Sequence, residues 1–272
     1  MRRLVTALLA CGLMVGLLAP VSAEASPALP DSMAALGDSI TRADDFCCSY
    51  GDHPGQSWST GGAWYDGISS HFERIKRRNS AITGHGYNDA VTGAKMSSAA
   101  TQASAAAGQH VGYVTILLGA NDLCTSSPSA MTSKDSFKAQ FSQAMAILRQ
   151  QLPRARVFVS SIPDIYQLWK VLHPNPVART VWAAAHICPA MLGPTRTEAE
   201  RQQVVAREAA FNQILADGCH QYGALCRWDG GATYRYKFSA SQVSILDYFH
   251  PDLDGQAALA SVTWAASWWS GT

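Results

Sequence analysis

The sequence carries little charge and almost no net charge. Only 15% of its 272 residues are Asp, Glu, Lys or Arg, and 21 basic residues face 20 acidic ones. Without residues 1–23, which contain only Arg2 and Arg3, the balance is 19 basic to 20 acidic residues, or −1. A chain so close to neutral lacks the positive field that gathers phosphates. We therefore expect no nucleic-acid partner.

Sequence patterns for phosphate and metal binding are also missing. Neither G-x-G-x-x-G nor G-x-x-x-x-G-K occurs, so no loop is of the kind that cradles nucleotide phosphates. No C-x-x-C pair occurs, and no cysteine stands at ligand spacing from a histidine, which disfavours a zinc site. Asp252-x-Asp254-Gly255 matches a calcium loop only in part and is better explained as a helix start. We expect no metal and no cofactor.

Long apolar runs are absent except near the N-terminus. There, Arg2 and Arg3 precede the apolar stretch 4–18, and the small residues 21–25 offer cleavage sites, a pattern typical of a signal peptide. The run is too short to span a membrane comfortably. It continues past Cys11, which disfavours lipidation there. We predict a signal peptide at 1–23 and one secreted, monomeric domain at 24–272 without a stable membrane anchor.

Six cysteines remain after residue 23, namely Cys47, Cys48, Cys124, Cys188, Cys219 and Cys226. An even number in an exported chain predicts three disulfides, although six cysteines allow fifteen connectivities. The short loop between Cys219 and Cys226 favours that pair, and Cys124 with Cys188 is the second choice. The remaining pair would join neighbouring residues, which is strained and therefore doubtful.

Short apolar runs alternate with helical patterns along the chain. The runs 33–36, 114–118 and 157–159 have the length and continuity of buried parallel strands. Helical stripes are formed by Trp64, Ile68, Phe72 and Ile75; by Phe137, Phe141, Ala144 and Leu148; by Val204, Phe211 and Leu215; and by Leu259, Val262, Ala266 and Trp269. Thr132-x-x-Asp135 and Thr197-x-x-Glu200 precede the second and third stripes as capping patterns. The alternation predicts a three-layer α/β domain with helices on both faces of the sheet.

Two polar segments directly follow predicted strands. Ser39 lies in Gly37-Asp38-Ser39-Ile40-Thr41, where glycine permits a tight turn and the serine could act as a nucleophile. Asn121 lies in Gly119-Ala120-Asn121-Asp122, where its amide could donate to an oxyanion. Taken alone, each segment is an ordinary turn. The carboxyl ends of parallel strands share one edge of the sheet, so the two side chains should meet there.

Two further segments complete a possible catalytic set. Gly93, in Asn88-Asp89-Ala90-Val91-Thr92-Gly93-Ala94, offers a backbone N–H without a side chain in the way. In Asp247-Tyr248-Phe249-His250-Pro251, the spacing lets the Asp247 carboxylate accept from His250 Nδ1, which leaves Nε2 free as a base. Each of these segments also has an ordinary explanation as a loop.

The four segments together, in this order, resemble the SGNH (GDSL) hydrolases, whose sequence blocks carry a serine, a glycine, an asparagine and a histidine. Here these residues would be Ser39, Gly93, Asn121 and His250, in blocks that run from residue 33 to about 257. The resemblance is greatest to secreted actinobacterial-type esterases and lipases. It implies a flavodoxin-like α/β/α fold with about five parallel strands. It also implies an oxyanion hole formed by the Ser39 and Gly93 N–H groups and the Asn121 side chain.

The resulting prediction is a secreted serine ester hydrolase with the catalytic residues Ser39, His250 and Asp247. Its expected substrates are lipid, phospholipid or small acyl esters, since residues 163–195 are apolar and aromatic and could form an acyl wall. The same stretch is also explained by helices packing on the core. A carbohydrate O-deacetylase is the alternative within the same fold. A non-catalytic lipid- or glycan-binding module is disfavoured, because none of the four blocks is lost.

Overall fold

Five parallel strands form the centre of the computed structural model, which describes residues 26–63 and 65–271. The strands are β1 (Met33–Gly37), β2 (Gly86–Asn88), β3 (Tyr113–Leu117), β4 (Arg156–Val159) and β5 (Cys226–Trp228). Their order in the sheet is β2-β1-β3-β4-β5, and each neighbouring pair is parallel. The strand order reverses between β1 and β3, and ligands of open α/β sheets bind beyond the carboxyl ends of the strands at such a point.

Helices connect the strands and cover the sheet. They are α1 (Ser39–Arg42), α2 (His71–Lys76), α3 (Ala99–Gly108), α4 (Ala120–Leu123), α5 (Lys134–Gln151), α6 (Ile165–Leu172), α7 (Pro176–Ala184), α8 (Pro189–Leu192), α9 (Glu198–Tyr222), α10 (Ala232–Arg235) and α11 (Leu253–Ala266). In the described part of the chain, none of them is both long and apolar enough to cross a membrane.

The two faces of the sheet are covered by different helices because successive strand residues point to opposite sides. Met33 and Tyr113 lie in a buried cluster with residues of α2 and α11. Their neighbours in sequence, Ala34 and Val114, lie in a larger cluster with residues of α3, α5 and α9. The predicted three-layer α/β/α fold with five parallel strands is therefore confirmed.

The three central strands match the predicted apolar runs to within one residue at each end. The edge strands β2 and β5 were not predicted. Each has only three residues, and none of these residues is fully buried. A half-exposed edge strand shows neither a continuous apolar run nor a clear alternation, so its pairing is visible only in three dimensions.

One of the two predicted capping patterns needs correction. The Thr197–Glu200 capping box is present at the start of α9. The Thr132–Asp135 pattern is one residue out of register, since Ser133 caps α5 and accepts from the Ser136 N–H. The backbone N–H of Thr132 instead donates to the Asp122 carbonyl at 3.1 Å. The residue that caps a helix is thus set by where the preceding loop is anchored.

The first predicted helical stripe is wrong in its first half. Its first member, Trp64, lies outside the described residues. Ile68 is buried but precedes the helix, because Gly67 has φ +78 and the Ile68 N–H is held by the Asp66 side chain at 2.8 Å. Helix α2 begins only after its cap, Ser70. Because Ile68 is buried at a helical spacing from Phe72 and Ile75, it was included in the predicted stripe although it is not part of the helix.

Three disulfides are present in the described residues. Cys219–Cys226 and Cys124–Cys188 are the two favoured pairs, and the doubtful pair Cys47–Cys48 is also bonded. The Cys124–Cys188 bond ties the end of α4 to the residue that precedes α8.

The predicted signal peptide, residues 1–23, lies outside the described residues.

Candidate active site

Ser39 stands at the carboxyl end of β1, in a turn that depends on glycine. A Cβ atom at Gly37 would approach Thr41 Oγ1 to 2.3 Å and the Leu117 carbonyl to 2.8 Å. Gln102 of α3 clamps Gly37, since its side chain accepts from the Gly37 N–H at 2.8 Å and donates to the Gly37 carbonyl at 2.9 Å. The backbone that leads into Ser39 is therefore closely fixed.

Asp38 caps the helix that Ser39 begins. Its carboxylate accepts from the Ile40 N–H at 3.0 Å, while the second oxygen has no hydrogen-bond partner among the described residues. Burial raises the pKa of Asp38 to about 7, against the lowering effect of the bond from Ile40. Ser39 is the first residue of α1, and N–H groups in a first helical turn have no acceptor within the helix. Its backbone N–H is thus not needed for the helix.

Ser39, His250 and Asp247 form one chain of hydrogen bonds. His250 Nε2 lies 2.8 Å from Ser39 Oγ, and His250 Nδ1 is bonded to Asp247 Oδ2. Because a carboxylate only accepts, Nδ1 carries the proton and Nε2 accepts from the serine hydroxyl. In this geometry a histidine can take the proton of a serine hydroxyl.

The loop that carries His250 is braced from several sides. Asp247 Oδ1 accepts from the backbone N–H groups of Phe249 at 2.8 Å and of His250 at 3.1 Å. Tyr248, which lies between Asp247 and Phe249, has φ +57, a conformation that is uncommon for a non-glycine residue. Trp182 Nε1 donates to the Tyr248 carbonyl at 3.0 Å. These bonds hold the imidazole in place before any substrate arrives.

The surroundings of His250 raise its pKa above the ordinary 6.5. Burial lowers the pKa, but the hydrogen bond and the charge of Asp247 raise it, and the charges of Asp44 and Asp38 add to this effect. A histidine acts as a base only when it is neutral. The capacity of His250 to accept a proton is therefore lost as the pH falls through this raised pKa.

Asn121 lies in the first turn of α4, directly beyond the end of β3. The turn requires Gly119, which has φ +130 and whose Cβ would meet Ile162 Cδ1 at 2.6 Å. The Asn121 amide donates to the Ala94 carbonyl at 3.1 Å. An amide NH₂ group carries two donors, so this bond leaves one N–H for another acceptor.

Gly93 is the third residue of a turn in which the Ala94 N–H donates to the Val91 carbonyl at 2.9 Å. Its φ of +78 favours glycine, and a Cβ built there meets no atom of the described residues beyond its chain neighbours within 4 Å. The turn is attached to the end of β1 because the Val91 N–H donates to the Gly37 carbonyl at 3.2 Å. Through Ala94 it is also attached to Asn121. The second and third sequence blocks are thereby joined beside the first.

A pocket with a cavity volume of about 60 Å³, partly open to solvent, is lined by sequence neighbours of these residues. Its apolar walls include Ile40, Ala120, Ile165, Leu168, Phe238 and Phe249. Ile40 follows Ser39, Ala120 precedes Asn121 and Phe249 precedes His250 in sequence. The helix α6 provides both Ile165 and Leu168. The apolar stretch 163–195 thus packs as helices and also contributes a wall to the pocket.

The two side chains that could make this pocket polar have partners already. Asp164 accepts from the Gln167 N–H at 2.8 Å and forms an ion pair with Lys237 at 2.6 Å. The Gln242 side chain donates to the Tyr236 hydroxyl at 2.8 Å. Little hydrogen-bonding capacity is therefore left for a polar ligand inside the pocket.

Two supporting glutamines were not found by sequence reasoning. Gln102 is the only polar residue on the buried face of the alanine-rich helix α3. A single glutamine among buried alanines was the sequence signal that could have identified it. Gln256 of α11 donates to the Ile40 carbonyl at 2.8 Å and accepts from the Trp58 N–H at 2.9 Å. No sequence pattern marks Gln256, because its partners lie about 200 residues away, at a separation of 198 to Trp58 and 216 to Ile40.

Comparison with solved structures places the fold among ester hydrolases of different kinds. The extracellular lipase of Streptomyces rimosus has a TM-score of 0.54 at 14% identity, covering 87% of this chain and 99% of that chain. A family 3 carbohydrate esterase of Clostridium thermocellum has a TM-score of 0.50 at 12% identity, covering 86% and 94%. At such identities the likeness concerns the fold alone.

Comparison of sequences identifies the family. Phospholipase B1, membrane-associated, of Rattus norvegicus is 25% identical over 211 residues, which are 66% of this chain and 15% of the rat protein. The mouse (Mus musculus) protein of the same name is 26% identical over 211 residues, 66% of this chain and 14% of its own length. The chain thus spans only a small part of these curated relatives. The model of the GDSL-like lipase/acylhydrolase family matches residues 33–262. The chain belongs to the GDSL-like lipase/acylhydrolase family.

Proposed function

We propose that this chain is a serine carboxylic-ester hydrolase in which Ser39 is the nucleophile, His250 the base and Asp247 the residue that orients the base. The observation that carries the proposal is the distance of 2.8 Å between His250 Nε2 and Ser39 Oγ, with Nδ1 held by Asp247. A serine hydroxyl becomes an effective nucleophile when a base takes its proton.

The reaction follows from this geometry. His250 takes the proton of Ser39 as the oxygen attacks the ester carbonyl, and the resulting tetrahedral intermediate bears an oxyanion. His250 then gives the proton to the leaving alcohol, which departs and leaves an acyl group on Ser39. Water, activated by the same imidazole, hydrolyses the acyl-enzyme and restores the hydroxyl.

The oxyanion would be stabilised by three donors, namely the backbone N–H groups of Ser39 and Gly93 and the side chain of Asn121. Support comes from the remaining N–H of the Asn121 amide and from the bonds that join the Gly93 turn to both β1 and α4. Donors that are fixed before the charge develops need no reorganisation during the reaction.

The apolar pocket favours an acyl chain longer than acetate as the substrate group. Ile40 and Phe249, the sequence neighbours of Ser39 and His250, form part of its wall. Its polar residues Asp164 and Gln242 are already engaged, so a sugar would find few partners there. A relative named phospholipase and a solved extracellular lipase of the same fold are consistent with this proposal.

We also propose that the chain is exported, with residues 1–23 removed and residues 24–272 forming the mature domain. Three disulfides support this proposal, because such bonds persist in oxidising compartments. The fold resemblance to an extracellular lipase is consistent with it.

Substrate chain length tests the proposal. We expect kcat/KM on p-nitrophenyl esters to rise from acetate toward octanoate. Leu168→Trp, which fills the pocket, should lower kcat/KM on octanoate roughly tenfold or more and change that on acetate by less than about twofold, because contacts with a few methylenes are worth this much. Leu168→Ala should move the optimum toward longer chains.

Lys170→Trp, on the exposed side of the same helix, is the matched control and should keep the native profile. Circular dichroism shows whether each variant is folded. A wild-type enzyme that cleaves acetate and acetylated sugars but no longer ester would replace this proposal with the deacetylase.

A further inference from the structure

Asp44 brings a second carboxylate to the imidazole of His250. It lies two residues beyond the end of α1, and its backbone N–H donates to the Ser39 carbonyl at 3.0 Å. A carboxylate oxygen of Asp44 and a ring nitrogen of His250 lie within 4.8 Å of each other. The turn that follows Ser39 thus places a carboxylate close to the imidazole of His250.

The Asp44 residue is largely buried. Asp44 is only 8% exposed, and its carboxylate has no hydrogen bond or ion pair among the described residues. Burial accordingly raises the pKa of this carboxyl group. A largely buried carboxylate without a hydrogen bond adds little to the stability of the resting state.

Asp44 cannot take the place of Asp247, because both ring nitrogens of His250 are already engaged. Nδ1 is bonded to Asp247 and Nε2 to Ser39. Asp44 can therefore act on the ring only through space. Its effect is largest when the ring is positive, which is the state formed when the serine proton reaches Nε2.

We propose that Asp44 is a positioning residue that acts through His250, by stabilising the imidazolium formed while Ser39 attacks the ester. This inference rests on the proposed function, in which His250 is the base. The Asp44 carboxylate is already close to the ring when the imidazolium forms, so no rearrangement of the chain is needed.

Four carboxylates lie near His250 or affect its pKa. Asp247 is on its own loop, Asp38 is in the turn between β1 and α1, and Asp44 and Asp45 follow α1. The Asp45 side chain accepts from a backbone N–H at 2.6 Å, so its charge is partly committed elsewhere. Asp44 is the uncommitted member of this group.

The sign of the pH effect follows from these charges. Negative groups favour the protonated imidazole, and together they raise the pKa of His250 above 6.5 against the lowering effect of burial. Removing the charge of Asp44 should lower this pKa. The acidic limb of the kcat/KM profile, which reports protonation of the free base, should then move to lower pH.

The test is Asp44→Asn in the full chain, assayed with the same p-nitrophenyl ester from pH 4.5 to 9. We expect the plateau of kcat/KM to fall about three- to tenfold and the acidic limb to shift down by about 0.5 to 1 pH unit. The Tm should stay the same or rise, because a buried unpaired charge is removed. Asp217→Asn, an exposed change in α9 with the same change in net charge, should alter none of these quantities.

Two results would overturn the inference. One is a plateau and an acidic limb identical to those of the native chain. The other is a lower plateau with a lower Tm and an unshifted limb, which is the behaviour of a purely structural residue. The failure of the proposed function has a different signature, since Ser39→Ala and His250→Ala would then retain the native activity.

Discussion

Ser39→Ala should lower kcat/KM on a p-nitrophenyl ester by a factor on the order of 10⁴ to 10⁶. The change removes a single oxygen, the one that lies 2.8 Å from His250 Nε2. Without it no acyl-enzyme can form, and the remaining donors can only assist the attack of water. The measurement is initial-rate kinetics at a pH above the raised pKa of His250, where the base is neutral.

The fold should tolerate this change. Asp38, not Ser39, caps α1, and alanine is a good helix former. Ser104→Ala provides the matched control, because among the described residues the Ser104 hydroxyl bonds only to a carbonyl of its own helix, α3. A folded Ser39→Ala protein that keeps more than about 1% of the native rate would argue against Ser39 as the nucleophile.

Asn121→Ala should lower kcat by about 10²- to 10³-fold and leave KM nearly unchanged. An oxyanion donor acts on the charge that develops in the transition state, so its loss appears in kcat rather than in substrate binding. The bond from Asn121 to the Ala94 carbonyl is also lost, and Ala94 follows Gly93. Part of the loss can therefore come from a looser Gly93 turn.

Asn121→Asp removes the same two donated hydrogen bonds but keeps the size of the side chain and adds a negative charge. Aspartate has the shape of asparagine but donates no hydrogen bond when ionised and repels an oxyanion. We expect it to be at least as inactive as the alanine variant, because it repels the oxyanion as well as lacking the donor. A decrease of less than about threefold in kcat for both variants, or a decrease confined to KM, would remove Asn121 from the oxyanion hole.

The sequence predicted the middle of the sheet better than its edges. The runs that became β1, β3 and β4 are continuously apolar because helices cover both of their faces. The edge strand Gly86–Asn88 contains little apolar surface, and only its pairing with β1 defines it. Local patterns therefore predict what is buried on both sides and miss what is defined by a partner strand.

The candidate site shows the same division. Ser39, Asn121 and His250 could be predicted because each follows a recognisable local pattern, and parallel strands bring their ends together. Asp44 and Gln256 could not, since the role of each depends on a residue more than 190 positions away. The preceding turn, with Ala43 at φ +49, directs Asp44 toward the imidazole, and no sequence pattern reports this.

Mass spectrometry of the protein after reaction with a fluorophosphonate, which phosphonylates only activated serines, tests directly whether Ser39 is the nucleophile. We expect one added phosphonyl group, located on Ser39, that appears as esterase activity disappears. The label should be absent from the folded His250→Ala variant. A fully active chain that stays unlabelled, or a label on any other serine with Ser39 unmodified, would contradict this role of Ser39.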